Sequence, residues 1–133
     1  MSVIEKIKGR LQNYPQIEFE ATQDSIVVFP QSESGFEVSL YFNDRASDEP
    51  YNVFFNGWHE AFQSEAVALD CFALGLSSEC RLKEYSRGEN PYKWTIEYLR
   101  DGRWEVGGSS TTLLFLSFWK VKKVRYLQNE QAI

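Results

Sequence analysis

The chain has 133 residues, a length that suits one domain with a single hydrophobic core. Its two cysteines are too few for a disulfide scaffold, and together with its one histidine they match no common zinc-ligand pattern. The start of the chain is charged where a signal peptide is apolar, and no apolar run is long enough to span a bilayer. We therefore expect a protein of the reducing cytoplasm.

The formal net charge of −5 is unevenly distributed. Residues 1–78 contain four Lys or Arg against twelve Asp or Glu, whereas residues 79–133 contain ten against seven. This asymmetry is typical of a charge-complementary contact surface, although a solvated surface without a partner explains it equally well. Aromatic residues make up 16% of the chain, which indicates either a dense core or an aromatic-lined cavity.

A short amphipathic helix is predicted first. Ser2 and Glu5 have the spacing of a capping box, apolar residues follow at helical spacing as far as Tyr14, and Pro15 ends the pattern. Alternation of apolar and polar residues then predicts an antiparallel meander with one buried face. Its strands are expected at residues 17–20, 26–29, 36–42 and 51–55.

Gly57 is predicted to end the fourth strand and to cap a second helix. Apolar residues recur at helical spacing from Trp58 to Leu76, and Glu60 suits the positive end of the helix dipole. We expect this helix to pack on the sheet, with Trp58 and Phe62 as its anchors. A pocket between helix and sheet, lined by the same two rings, is the alternative.

A second meander is predicted after this helix. Tyr92, Trp94, Ile96 and Tyr98 share one face of a strand, and the pair Asp101-Gly102 indicates a tight hairpin. Further segments are expected as a strand at 80–83, a flexible polar loop at 107–112, a buried run at 113–116, a strand at 121–127 and a frayed tail at 129–133.

These elements predict one α+β domain over residues 1–133. Its antiparallel sheet would be strongly curved or form a partial barrel of about seven to nine strands, packed by two helices. The expected order is one helix, four strands, one helix and then four or five strands.

His59 is the candidate proton carrier, because histidine exchanges protons near neutral pH. A small hydrolase or isomerase would use it in a cleft lined by Trp58, Phe62 and Trp94. General acid–base chemistry needs a partner within hydrogen-bond reach, and the adjacent Glu60 diverges from His59 on a helix. A structural role at the start of the helix is the simpler interpretation, so no catalytic residue is assigned.

Basic and aromatic residues are interleaved in the second half, a pattern typical of surfaces that stack single-stranded bases. Tyr92 and Trp94, however, fall on the apolar side of their strand, and the net charge opposes phosphate binding. We therefore do not expect nucleic acid as a partner, and Lys122 and Lys123 are expected to contact a protein. The interleaved residues are Arg81, Lys83, Tyr85, Arg87, Tyr92, Lys93, Trp94, Trp119, Lys120, Lys122, Lys123, Arg125 and Tyr126.

Metals and cofactors are not expected. The acidic stretch 44–49 lacks the register of a calcium-binding EF-hand, and Gly107–Thr112 lacks the lysine and following helix of a phosphate loop. Cys71 and Cys80 are expected to be small buried hydrophobic residues.

Four segments together resemble a family of small bacterial proteins with no established activity. The segments are FFNGWHEAF, CFALGLSSECRLKEYSRG, PYKWTIEY and FLSFWKVKKVRYLQN, and the likeness extends from about residue 35 to residue 129. The resemblance implies a bacterial cytoplasmic setting and no mechanism or site residue. From the residues themselves we expect a non-enzymatic binding or regulatory module, acting on a protein partner or a small ligand, with the His59 enzyme as the alternative.

Overall fold

A computed structural model describes residues 2–45, 48–112 and 121–129, without the side chains of 108–110. Over these ranges the chain forms two helices and nine strands. The helices are α1 (Val3–Leu11) and α2 (Glu65–Leu76). The strands are β1 (Phe19–Ala21), β2 (Ser25–Val28), β3 (Val38–Phe42), β4 (Tyr51–Phe55), β5 (Trp58–Phe62), β6 (Cys80–Arg87), β7 (Asn90–Arg100), β8 (Arg103–Thr112) and β9 (Lys122–Gln128).

The nine strands form two antiparallel sheets. The first has five strands in the order β1-β2-β3-β4-β5, and the second has four in the order β8-β7-β6-β9. The predicted α+β class and antiparallel pairing are confirmed. The single curved sheet or partial barrel is not what forms, because α2 separates β5 from β6 and these two strands are not hydrogen-bonded to each other.

Helix α1 begins where the capping pattern predicts. The Ser2 hydroxyl accepts a hydrogen bond from the Glu5 amide at 3.2 Å, which satisfies one of the free amides at the helix start. Ile4, Ile7 and Leu11 are buried, so the helical spacing of these residues correctly identifies the buried side of α1. The helix ends at Leu11, about one turn before Pro15.

The prediction that a helix begins at Gly57 is wrong. Phe55 pairs with Trp58 and Tyr51 pairs with Phe62, so residues 58–62 form strand β5. Asn56 has φ of +49° and, with Gly57, makes the two-residue turn that the Asn-Gly pair favours. Trp58 and Phe62 are four residues apart, a separation that fits one face of a helix and one face of a strand alike.

Helix α2 starts seven residues later than expected. Ser64 caps it, and the hydroxyl of Ser64 accepts a hydrogen bond from the Val67 amide at 3.4 Å. Phe72 and Leu76 are buried, and Gly75 lies so close to Phe55 that a side chain at residue 75 would overlap the phenyl ring. The expected packing of this helix on the sheet is confirmed, but its expected anchors, Trp58 and Phe62, belong to strand β5 and not to the helix.

Strand β8 occupies a segment that was expected to be a mobile loop. Residues 107–112 continue the strand that starts after the Asp101-Gly102 hairpin, and Trp94 pairs with Thr111. Asp101 and Gly102 have φ of +52° and +76°, as the predicted tight turn requires. The buried run expected at residues 113–116 lies outside the described part of the chain.

Strand β9 confirms the last predicted strand and places it beside β6, where Leu82 pairs with Leu127. Asn129 was expected in a frayed tail but is buried, since its side-chain amide bonds the backbone of Phe36 and the carbonyl of Gly75. The rest of that tail, residues 130–133, lies outside the described ranges. Within those ranges, neither helix has the length and apolar composition needed to cross a membrane.

Candidate functional site

The four-stranded sheet has two chemically different faces. Along β6, Cys80, Leu82 and Glu84 are buried against the core, whereas Arg81 and Lys83 lie on the other side. The register carries this division across the sheet, because Lys83 pairs with Thr95 of β7 and with Tyr126 of β9. We call the side that carries Arg81 and Lys83 the outer face.

Three lysine side chains converge on one ring of the outer face. The ammonium groups of Lys83, Lys93 and Lys122 lie 5.1, 5.1 and 5.2 Å from the centre of the Tyr85 ring. Each comes from a different strand, so the register of β6, β7 and β9 creates the cluster. A hydrogen bond with the Tyr85 side chain is the main cause that raises the pKa of Lys83, which keeps this ammonium charged.

A β-bulge adds a second tyrosine to this cluster. The register between β6 and β7 shifts between Tyr85 and Ser86, so Ser86 pairs with Pro91 and simple alternation fails at Tyr92. The Tyr92 ring lies 6.4 Å from that of Tyr85, and the Arg87 guanidinium lies 5.8 Å from the Tyr92 ring centre. Tyr92 therefore belongs with the basic residues and is only partly buried.

Arg81 occupies the other end of the outer face, between two aromatic rings. Its guanidinium lies 4.2 Å from the ring centre of Trp104 and 4.2 Å from that of Tyr126. The same group donates to the buried carboxylate of Glu97, with nitrogen–oxygen distances of 2.7 and 2.6 Å. Stacking and the ion pair fix Arg81 in place, so Arg81 holds Trp104 and Tyr126 at a defined separation.

The opposite face anchors the sheet to the rest of the protein. Buried Glu84 accepts hydrogen bonds from the indole nitrogen of Trp94 at 2.8 Å and from the Nε of Arg125 at 2.6 Å. The Trp94 ring packs against Gly57, where an added side chain would collide with it. Strand β7 thereby packs against the β4–β5 turn, and this contact joins the outer face to the first sheet.

The outer face leaves aromatic and aliphatic surface in contact with solvent. Tyr126 is 47% exposed and Val124 44% exposed. Glu97 is the one carboxylate among the described outward-facing residues of β6, β7 and β9, and its ion pair with Arg81 neutralises it. We call the following set the basic face: Arg81, Lys83, Tyr85, Arg87, Tyr92, Lys93, Trp104, Lys122 and Tyr126.

The predicted aromatic cleft around His59 is not assembled by the strands. Trp58 and Phe62 lie on the core side of β5, and Trp58 is 1% exposed. His59 lies on the opposite side of the same strand because neighbouring residues alternate. Its exposed ring stacks on Phe54 at 5.2 Å, and its amide donates to the Thr111 hydroxyl at 3.2 Å.

The two predicted lysines are also separated. Lys122 pairs with Arg87 and points to the basic face, whereas Lys123 pairs with Ser86 and lines a cavity with Glu84 and Glu89 on the other side of β9. Of the six residues singled out for binding, Lys122 belongs to the basic face, and Trp94 lies on the buried side of the same sheet. Trp58, His59, Phe62 and Lys123 lie elsewhere.

A polar groove with a cavity of about 560 Å³ lies between α1 and the β1–β2 hairpin. It is lined by carboxylates that include Glu5, Asp24 and Glu65, and Lys6 already pairs with Glu65 at 2.7 Å. None of the six residues singled out for binding from the sequence lines this groove. Its described residues form no metal-holding group of acidic, His or Cys side chains, and we assign it no catalytic role.

Cys80 is buried, as expected, whereas Cys71 is only partly buried. Burial raises the pKa of each thiol from 9.0 to about 12, so the reactive thiolate is scarce at neutral pH. The described residues also contain no group of three or more His, Cys, Asp or Glu side chains that can hold a metal ion.

Comparison with known proteins supplies no relative. No protein-family model matches the chain, no curated protein is similar to it, and no solved structure matches its fold. The resemblance of the four sequence segments to small bacterial proteins therefore stays an expectation, and the chemistry of the site rests on the geometry alone.

Sequence reasoning found the residue types of the basic face but not their grouping. Period-two alternation places Tyr92 with buried Trp94, because the bulge that separates them has no signal in the residue pattern. Trp104 contacts Arg81 only because of the β7–β8 register, which joins residues that the sequence pattern does not relate. The Asn56-Gly57 turn signal, by contrast, is present in the sequence and identifies β5.

Proposed function

We propose that this protein is a binding module that holds an anionic macromolecule on the basic face. The observation that carries the proposal is the convergence of the Lys83, Lys93 and Lys122 ammonium groups on the Tyr85 ring, 5.1 to 5.2 Å from its centre. Three positive charges gathered around one ring create a local positive potential that attracts an anion.

Among the described residues, the carboxylate that influences these three lysines is that of Glu97, which adds to the Tyr85 hydrogen bond in raising the pKa of Lys83 without forming an ion pair with it. None of the three forms an ion pair with a carboxylate of the described residues, whereas Arg81 and Arg125 each have one. The charge asymmetry of the sequence also favours anion binding on this sheet, since the basic half of the chain supplies all four of its strands. The net charge of −5 therefore understates the local attraction for anions.

The His59 hydrolase or isomerase lacks comparable support. His59 is exposed and stacked on Phe54, and the rings proposed to line its cleft lie across the strand from it. Binding on the basic face, in contrast, uses a set of charges and rings that the fold has already brought together. The binding interpretation is thus the better supported of the two.

Chromatography on immobilised heparin, a general polyanion, tests the proposal with a matched pair of variants. Lys122→Glu changes the basic face, and Lys123→Glu makes the same change on the adjacent residue of β9, facing the other way. We expect retention of the wild type at about 50 mM salt and binding that is about tenfold weaker for Lys122→Glu than for Lys123→Glu.

Both variants must keep the wild-type circular dichroism spectrum and melting temperature for the comparison to count, and exposed surface substitutions are expected to satisfy this. Double substitution of Lys83 and Lys93 by Gln provides a second change on the same face. Equal elution of all variants, or no retention of the wild type, would refute the proposal.

A further inference from the structure

We infer that the anion bound by the basic face is a single-stranded nucleic acid, with its phosphates at the lysines around Tyr85 and its bases stacked on Tyr126 and Trp104. This inference rests on the proposed function and adds the class of partner. The aromatic rings support this class of partner, because a surface that bound an anion through charge alone would not need them.

Rings and cations alternate along the basic face. Tyr126 of β9 lies beside Lys83 of β6. Tyr85 is two residues further along β6, and two residues beyond it Arg87 lies beside Lys122 of β9. A single strand presents the same alternation, since each phosphate is followed by a base that is free to stack. Diagonal neighbours such as Tyr126 and Tyr85 are roughly 7–8 Å apart in an antiparallel sheet, which leaves room for a base on Tyr126 beside a phosphate at the lysines around Tyr85.

Trp104 and Tyr126 each keep part of their ring surface available for stacking. Arg81 lies 4.2 Å from each ring centre and so covers part of Trp104 and of Tyr126, and the Lys83 ammonium lies 5.8 Å from the centre of the Tyr126 ring. Tyr126 remains 47% exposed and Trp104 is partly exposed, which leaves ring surface for a base. The Arg81–Glu97 ion pair prevents the guanidinium from leaving to bind a phosphate itself.

Other anionic partners use this surface less completely. A duplex keeps its bases stacked inside, and an oligoglutamate peptide engages the ammonium groups but has no aromatic ring to stack on Tyr126. An anionic membrane attracts the lysines through its surface potential without requiring a ring at that position. A single strand satisfies the charges and the rings together.

Fluorescence anisotropy with labelled oligonucleotides tests this inference. The probes are oligo-dT and oligo-rU single strands of about 12 nucleotides, within the range that one small domain binds. Comparison probes are a duplex of the same length, an oligoglutamate peptide and vesicles that contain phosphatidylserine. We expect the single strands to bind more tightly than the duplex, the peptide and the vesicles.

Three tyrosine variants separate stacking from charge. Tyr126→Leu is expected to weaken single-strand binding roughly 5-fold to 100-fold, since stacking of one base accounts for a factor of this size. Tyr126→Phe retains the ring and should bind like the wild type. Tyr41→Leu is the matched control, because Tyr41 is 43% exposed on the five-stranded sheet.

The two proposals fail differently. If Tyr126→Leu binds the single strand as well as Tyr41→Leu does, or if the peptide, the duplex or the vesicles bind as tightly as the single strand, the inference is overturned. Retention on heparin that still depends on Lys122 would leave the proposed function standing in that case. Loss of the heparin dependence would overturn both.

Discussion

The indole ring of Trp94 packs against the backbone of Gly57, and the indole nitrogen donates a hydrogen bond to the buried carboxylate of Glu84. One side chain thus contacts the turn that ends β4 in the first sheet and bonds a neighbouring strand in the second. The position of the basic face relative to the core depends on this contact, since β7 carries both Trp94 and Lys93.

Substitution of Gly57 by Ala should destabilise the protein by about 1–3 kcal/mol, because the new methyl group overlaps the Trp94 ring and the hydrogen bond to Glu84 restrains that ring. Urea unfolding followed by tryptophan fluorescence measures the change. Gly9→Ala is the control, since the exposed Gly9 in α1 has open space around it. That control should raise stability by up to about 1 kcal/mol, and an equal effect of both substitutions would contradict the assigned contact.

Asn129 connects the end of β9 to two other parts of the core. Its side-chain oxygen accepts from the Phe36 amide at 3.1 Å, and its nitrogen donates to the carbonyls of Phe36 and Gly75. Asn129→Ala leaves these buried groups unsatisfied and should cost about 2–4 kcal/mol in the free energy of unfolding. Gln128→Ala, which removes an exposed bond to Ser78, should cost under about 1 kcal/mol. Similar losses for the two variants would show that Asn129 is not a buried anchor.

Stability should fall as the pH rises from 9 towards 12. Burial raises the pKa of Cys71 and of Cys80 from 9.0 to about 12, so above pH 9 the unfolded thiols ionise before the folded ones. The thiols' contribution is complete below pH 9 and is lost as the pH approaches 12. Burial also raises the pKa of Tyr98, which adds to the decline.

Urea unfolding at a series of pH values tests this alkaline effect. The Cys71→Ala/Cys80→Ala protein should have a lower stability at pH 8 and a shallower decline above pH 9, because alanine does not ionise. Native wild-type thiols should react much more slowly than unfolded ones with a thiol reagent at pH 8. Rapid labelling of the native protein would show that these thiols are accessible and ionised.

Binding of single strands should depend on salt in proportion to the lysines engaged. With Lys83, Lys93 and Lys122 each contacting a phosphate, log K plotted against log salt concentration should have a slope of about −2. Lys122→Gln should reduce the magnitude of this slope by about 0.7. Lys123→Gln should leave it unchanged, because this residue faces away from the Tyr85 cluster. A slope that both substitutions alter equally would indicate diffuse attraction instead of a defined face.

Local sequence chemistry determined much of the secondary structure. Ser2 and Glu5 mark the start of α1, Asp101-Gly102 marks a hairpin, and alternation locates β4 at residues 51–55. These features depend on interactions between residues close in sequence, so their signals can be read without a fold. The same kind of signal at Asn56-Gly57 identifies β5, although the spacing of Trp58 and Phe62 also fits a helix.

The sequence by itself thus determined the α+β class, the antiparallel strands and the supply of basic and aromatic residues in the second half. Only the tertiary structure decided that the strands divide into two sheets and that Lys83, Lys93 and Lys122 surround Tyr85. It also decided that Lys122 and Lys123 act on different sides of one strand. The physical reason is that strand order, register and a single bulge arise from contacts between distant residues, and a shift of one residue moves every side chain of a strand to the opposite face.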